Sequence, residues 1–509
     1  MPNRSLKGSA LALLTVSLAL ATFMQVLDTS IANVAIPSIA GTLGVSPNQG
    51  TWVITSFAVS NAIALPLTGW FARRFGEVRL FVIATQLFTL SSWLCGLSVN
   101  LPMLVAFRIL QGAVAGPLIP LSQSLLLANY PREKQGMALA LWSMTVVVAP
   151  IFGPILGGWI SDNISWPWIF YINIPVGLIS GYLAWQLLKD RETAIVKQPI
   201  DAVGLGLLVL GVGSLQILLD KGNELDWFGS SLILTLAVIA TVALSFFIVW
   251  ELTEKHPVVD LSLFAKRNFT VGTIAVSLGY MGFFGNVVIL PLWLQTQMGY
   301  TATWAGLATA PIGLLPVVLS PLVGRNLHKI DLRLLVSLSF LVFATVSFWN
   351  AGFTTAVDFW QLALPRLVQG IGVAVFFIPL TSILLSGLPA NRLASASGLS
   401  TFLRILAGSF GTSLSITLWD RREALHHSQL TEQITVFNPL SNQALDHLHT
   451  LGLNGAAGFL QLANTITNQS YMLATDDFFR LVGWLFLGLL LLVWFARPPF
   501  SAIGGGETH

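Results

Sequence analysis

Apolar runs of about 18 residues or more recur in this chain from near its N-terminus to near its C-terminus, and this one feature leaves few folds open. A helix of that length, at about 1.5 Å per residue, matches the hydrocarbon thickness of a bilayer. Only 9% of the 509 residues are charged and 54% are hydrophobic, whereas a soluble chain carries about a quarter charged residues. The expected fold class is an all-α membrane protein. A transmembrane β-barrel is excluded, because its strands alternate polar and apolar residues and these runs do not.

The first run, residues 10–36, is too long for a secretory signal, lacks a small-x-small exit and leads into the polar "LDTS" at 27–30. It reads as a retained first span. Further runs centre near residues 61, 88, 117, 148, 177, 210, 240, 280, 313, 342, 373, 407 and 486, which makes fourteen spans. With a cytoplasmic N-terminus, 18 of the 25 Lys and Arg fall on the cytoplasmic side, among them Arg4, Lys7, Arg73, Arg74, Arg132, Lys189, Lys197 and Arg392. Lys221, Arg421 and Arg422 fall on the other side, and four arginines lie within or at the edge of spans. This asymmetry follows the positive-inside rule and predicts that both termini are cytoplasmic. Cys95 is the one cysteine and sits in an apolar run, so an intramolecular disulfide framework and a thiolate metal site are both excluded.

"RILQG" at 108–112 recurs as "RLVQG" at 366–370, and "APIFG" at 149–153 recurs as "AGSFG" at 407–411, both at an offset of 258. Two matches at one offset predict that spans 1 to 6 and 9 to 14 are related halves, with runs 202–219 and 230–250 inserted between them. The expected division is a six-helix bundle over 1–190, two inserted helices with cytoplasmic connectors over 191–268, and a second six-helix bundle over 269–509. A long polar loop at 420–475 on the outer side belongs to the second bundle and is long enough to be a docking surface.

The lipid zone holds few charges: Asp28, Arg108, Arg366 and Arg404. Asp28 is the one acid well inside a span. Counting from Pro37 and Leu101, Asp28 lies about 14 Å and Arg108 about 10 Å below the outer ends of spans 1 and 4, so the two sit at similar depth. Desolvation opposes a buried carboxylate's charge and a nearby guanidinium favours it, which makes Asp28 the leading carrier if transport is coupled to protons. The alternative is an ion pair that only fixes helix register. Arg366 and Arg404 have no matching acid in the spans and suit anionic or weakly acidic apolar compounds, unless they only bond backbone carbonyls or snorkel. Gln25, Asn33, Gln111, Trp142, Met144, Arg366, Gln369 and Arg404 are the candidate substrate contacts. Most of the 17 Trp and 32 Phe belong to interfacial belts and lipid-facing packing. "APIFGPILGG" at 149–158 taken alone is a close-packing seam with a kink.

"LDTSIANVAIP", "RILQG" and "GPILGG" together resemble motifs of the major facilitator superfamily, in its fourteen-span drug:proton antiporter branch. The resemblance implies proton-driven export across a bacterial inner membrane, with Asp28 and Arg108 at the coupling positions and Gly153, Pro154, Gly157 and Gly158 in the antiporter motif. It also implies a periplasmic membrane-fusion adaptor and an outer-membrane channel as partners, and the proton-motive force in place of any cofactor. The superfamily's loop between spans 2 and 3 usually reads G-x-L-A-D-R-x-G, whereas this chain has "GWFARRFG", with Arg73 in the aspartate position.

An enzyme is disfavoured, since HExxH, GxSxG and a phosphate-binding G-x-x-x-x-G-K-[ST] are all missing. The histidines at 426, 427, 447 and 449 lack a supporting carboxylate pattern, so no metal site is expected. The remaining alternative is an exporter of the same fold for a specific metabolite or siderophore.

Overall fold

A computed structural model of the chain describes residues 6, 8–131, 134–196, 199, 201–435, 437–453 and 455–500. Arg4, Lys7, Arg132 and Lys197, part of the charge asymmetry, lie outside the described residues. All regular structure among the described residues is helical. The first part comprises α1 (Gly8–Leu43), α2 (Pro47–Gly50), α3 (Trp52–Ala64), α4 (Thr68–Phe75), α5 (Glu77–Gly96), α6 (Leu101–Ala115) and α7 (Leu118–Asn129). It continues through α8 (Gln135–Asn163), α9 (Trp168–Tyr171), α10 (Asn173–Leu188), α11 (Ala202–Lys221) and α12 (Ser231–Thr253). The last part comprises α13 (Arg267–Thr296), α14 (Ala302–Thr309), α15 (Leu314–Asn326), α16 (Leu332–Asn350), α17 (Phe359–Ala374), α18 (Phe377–Leu385), α19 (Leu393–Glu432), α20 (Pro439–Thr450) and α21 (Ala456–Val493).

Eleven helical stretches among the described residues are long and apolar enough to cross a bilayer. A twelfth is the pair α3 and α4, bent by 61° at a break that contains Pro66, whose ring and missing N–H interrupt a helix. The remaining two sequence centres, 148 and 486, fall on α8 and α21, outside that set.

Small residues set the helix contacts. α1 packs along α8, α3 along α6, and α13 along α19. A Cβ built at Gly411 of α19 would lie 3.1 Å from the Cα of Met281 on α13, so the missing side chain lets the two backbones close. The inserted helix α11 packs on both α3 and α19, and Gln216 donates to Ser409 Oγ at 2.9 Å.

The polar stretch 420–475, expected as a loop, is largely helical. α19 runs through Glu432, α20 follows, and α21 begins at Ala456. No Pro or Gly interrupts residues 412–432, so nothing stops the helix where the apolar run ends. At about 1.5 Å per residue α19 is about 60 Å long, twice the hydrocarbon thickness. Asp477 ties the two extensions together by accepting from His426 Nε2 at 2.9 Å, with Arg422 at 3.5 Å.

Candidate functional site

Asp28 sits in mid-helix on α1 and is 2% exposed. Its Oδ2 accepts from Arg108 Nη1 of α6 at 2.6 Å. Its Oδ1 accepts from Gln111 Nε2 at 3.1 Å and from Asn173 Nδ2 of α10 at 2.8 Å. Arg108 is itself fully buried. Its Nη1 also donates to Gln111 Oε1 at 2.7 Å, and its Nε donates to the Val53 carbonyl on α3 at 3.0 Å. The guanidinium lies over the Phe57 ring, 4.3 Å from its centroid, and faces Phe170 at 5.5 Å, a cation–π arrangement that strengthens in a dry site.

The chemistry follows from the donor inventory. Three N–H groups converge on the carboxylate, and an ionised carboxylate is an acceptor only. Both lone pairs of Oδ1 are in use, so a proton placed on that oxygen would displace Gln111 or Asn173. Groups from α1, α3, α6 and α10 all meet in this one knot. Asn173 anchors the knot further, since its Nδ2 also donates to Ser92 Oγ at 3.0 Å and Ser92 donates to the Phe170 carbonyl at 2.8 Å.

The structure thus brings Asp28, Arg108 and Gln111 together. Asn173, Val53 and Phe57 were not singled out from the sequence. An Asn inside the apolar stretch "YINIPVG" was the one available signal, and a backbone carbonyl gives none. Gln25 lies one turn away on α1, buried, with its Oε1 lacking a hydrogen-bond partner among the described residues. Asn33 is exposed and stands apart from the cluster. Trp142 is buried, and its Nε1 donates to Ser122 Oγ at 2.9 Å. Met144 is half-buried. Arg404 of α19 lies against the rings of Tyr280 and Phe377, with centroids at 5.5 and 5.6 Å. Arg366 and Gln369 are buried on α17, distant in sequence from the Asp28 cluster. No group of three or more metal-type side chains forms among the described residues.

The glycines at 153 and 157 let α8 close on α1 beside Asp28. A Cβ at Gly153 would fall inside the Ser30 side chain, whose Oγ donates to the Pro150 carbonyl at 3.2 Å. One at Gly157 would lie 3.1 Å from the Ile31 carbonyl oxygen. Gly158 differs, because its Cβ would meet only Val34 at 3.9 Å. Pro154 lies within α8, and its side chain is outside the described residues. Gly153→Ala is therefore expected to destabilise the protein by about 1–3 kcal/mol through overpacking, while Gly158→Ala is expected to match the parent. Thermal unfolding of the two purified variants, followed by size-exclusion chromatography, checks this; equal midpoints would remove the distinction.

At the end of the bundle that carries the basic connectors, α19 meets the first part of the chain. Arg73 Nη1 donates to Ser395 Oγ at 3.2 Å, Ser397 Oγ donates to Gln123 Oε1, and Gly398 lies against the Leu65 carbonyl. Arg73, in the position where an acid was expected, thus bonds a hydroxyl on α19. Arg392, just before α19, pairs with Asp260 of the connector that follows the inserted helices, at 2.6 Å.

Comparison with known proteins gives consistent results. The Major Facilitator Superfamily profile matches residues 18–412. The chain is 58% identical over 497 residues to the multidrug export protein EmrB of Haemophilus influenzae, covering 97% of this chain and 98% of that one. It is 56% identical over 502 residues to the fatty acid resistance protein FarB of Neisseria gonorrhoeae, covering 99% of each. Among solved structures, the proton:xylose symporter XylE bound to 6-bromo-6-deoxy-D-glucose superposes with a TM-score of 0.61 at 17% identity, covering 97% of this chain and 98% of that one, which shows a shared fold.

Proposed function

The chain belongs to the major facilitator superfamily, and on that premise we propose that it is a proton-coupled multidrug exporter of the bacterial inner membrane. The kinship with multidrug export proteins supports a transporter of toxic compounds and not an enzyme. The observation that carries the proton coupling is the buried Asp28, held by Arg108, Gln111 and Asn173 from two other helices.

The reading assigns fourteen spans, two six-helix halves over 1–190 and 269–509, and the inserted pair over 191–268. Both termini face the cytoplasm, which places the contacts of Arg73, Gln123 and Leu65 with α19 on the cytoplasmic side. Those contacts hold the two halves together at the cytoplasmic end. Substrate entering between the halves competes for the Asp28 cluster, a proton from outside loosens its grip on Arg108, and return of that proton to the cytoplasm resets it. A potential of 100 mV supplies about 2.3 kcal/mol per charge moved, enough for a concentration ratio of about fortyfold at 1.4 kcal/mol per decade.

The cargo is apolar and includes weak acids. Support comes from Arg404 between aromatic rings and from a relative named for fatty acid resistance. Gln25, Gln111, Trp142, Met144, Arg366 and Gln369 complete the proposed substrate contacts, while Asn33, exposed in this structure, is the weakest member of that set. The proposed partners are a periplasmic membrane-fusion adaptor and an outer-membrane channel, and the helical projection formed by the ends of α19 and α21 with α20 offers the adaptor a surface.

Inverted vesicles test the reading. Dye accumulation driven by a proton gradient is expected to collapse on adding an uncoupler, from about fortyfold toward equality. Accumulation indifferent to the uncoupler would overturn it.

A further inference from the structure

The second part of the chain holds a counterpart of the Asp28 cluster that has no acid. Arg366 and Gln369 stand 258 residues after Arg108 and Gln111, and α8 and α19 start at the same offset. For the earlier helices the offset shortens to 255. Gly44 and Gly299 share a positive φ, of 67° and 69°, and α5 and α16 begin at Glu77 and Leu332. At that offset Ser92 and Cys95 become Ser347 and Asn350, and Asp28 becomes Phe283.

Packing places these residues at neighbouring levels. Ser339 Oγ donates to the Gly372 carbonyl at 2.8 Å, and a Cβ at Gly372 would lie 2.6 Å from the Phe343 ring, which sets α16 against α17. Measured along the helices from that contact, Ser347 and Gln369 lie about 5 Å further out, and Asn350 and Arg366 about 10 Å. The Phe283 ring is 6.0 Å from that of Phe343, which puts Asn286, one turn on, level with Ser347 and Gln369.

Asn286, Ser347, Asn350, Arg366 and Gln369 are each at most 2% exposed. Nε and Nη2 of Arg366, both side-chain polar atoms of Asn286, Asn350 and Gln369, and Ser347 Oγ are buried without a hydrogen-bond partner among the described residues. No acidic side chain forms an ion pair with the Arg366 guanidinium among the described residues. In the first half the homologous arginine is neutralised by Asp28. Burying a cation and several amides without partners is unfavourable, and N–H donors within a turn or two of one buried positive charge suit an anion.

We infer that the layer of Asn286, Ser347, Asn350, Arg366 and Gln369 is an anion-binding site, which takes the carboxylate head of an exported amphiphile or a small inorganic anion. The inference deepens the cargo reading above, and it divides the two arginine-centred clusters between two tasks. The first half keeps its own carboxylate and handles the proton. The second half has exchanged that acid for Phe283 and leaves the guanidinium to the cargo.

Calorimetric titration of the full chain in detergent tests this, with decanoate, methyl decanoate and chloride as probes in a gluconate buffer. Decanoate is expected to bind about tenfold or more tighter than its uncharged ester, a difference of about 1.4 kcal/mol. Arg366→Gln is expected to abolish that preference. Asn350→Asp keeps the arginine, supplies an internal carboxylate at its level and is expected to abolish it too, so the test survives if one variant fails to fold. Competition by millimolar chloride would identify an inorganic anion as an occupant and support the site. A preference unchanged in both variants, or no binding of either anion to the parent, would overturn it. The uncoupler assay reads the coupling proposal separately: its failure leaves the decanoate preference intact, and loss of the preference leaves coupling intact.

Discussion

Asp28→Asn is expected to yield a folded protein that releases no protons when substrate binds and sustains no export against a gradient. The amide keeps one acceptor oxygen for the donors of Arg108, Gln111 and Asn173, and it sets an NH2 group where the carboxylate's other oxygen stood. An amide does not exchange a proton in the physiological range, so the knot is locked in one state. Breaking a buried ion pair costs about 3–5 kcal/mol when the surviving charge is left alone. Here Arg108 retains the Val53 carbonyl, the Gln111 oxygen and the Phe57 face, so the loss is expected at or below the lower end of that range. The accumulation ratio should fall from about fortyfold to about one. The decisive measurement is substrate-induced proton release from purified protein, parent against variant. Equal release would assign the carrier to another group and reduce the Asp28–Arg108 pair to a structural role.

Gly112→Val is expected to prevent stable folding altogether. A Cβ at Gly112 would clash with the Phe57 carbonyl oxygen and the Ser60 hydroxyl on α3, and would stand 3.1 Å from the Phe57 carbonyl carbon. No rotamer relieves a clash at Cβ, so α6 has to move away from α3. That movement separates Arg108 from the Val53 carbonyl and from the Phe57 ring, because both belong to the same stretch of α3. Overpacking contributes about 1–3 kcal/mol, and weakening the buried pair adds a share of about 3–5 kcal/mol. Together these approach the whole stability of a typical domain. The yield of monodisperse protein checks this, with Gly112→Ala as the milder member of the series. A valine variant with the parent's thermal midpoint would show that α3 and α6 are not held at this distance.

Much of the architecture was legible because it is set by solvent. A segment that meets lipid has to be apolar along its whole length and has to close its own backbone hydrogen bonds, so spans and basic connectors are written locally in the chain. Asp28 was visible for the same reason, as an acid where hydrocarbon was expected. The region 420–475 was legible as polar but not as helix. Its polarity reports that it leaves the membrane, whereas the continuation of α19 depends on the lack of a breaker over 412–432.

What the tertiary structure alone decided is which groups meet. The identity of Asn173 and of the Val53 carbonyl as partners in the Asp28–Arg108 knot depends on the rotation of α10 and α3 about their axes. So does the outward position of Asn33, five residues from Asp28 on the same helix. The "RILQG" repeat made Arg108 and Arg366 look alike. Their surroundings differ because Arg108 meets Asp28 at 2.6 Å, whereas Arg366 forms no ion pair among the described residues. Hydropathy fixes a helix's depth and direction; its rotation and its neighbours are fixed by close contacts of small residues such as Gly112, Gly153 and Gly411 with backbone far away in sequence. Those contacts exist only once the chain has folded.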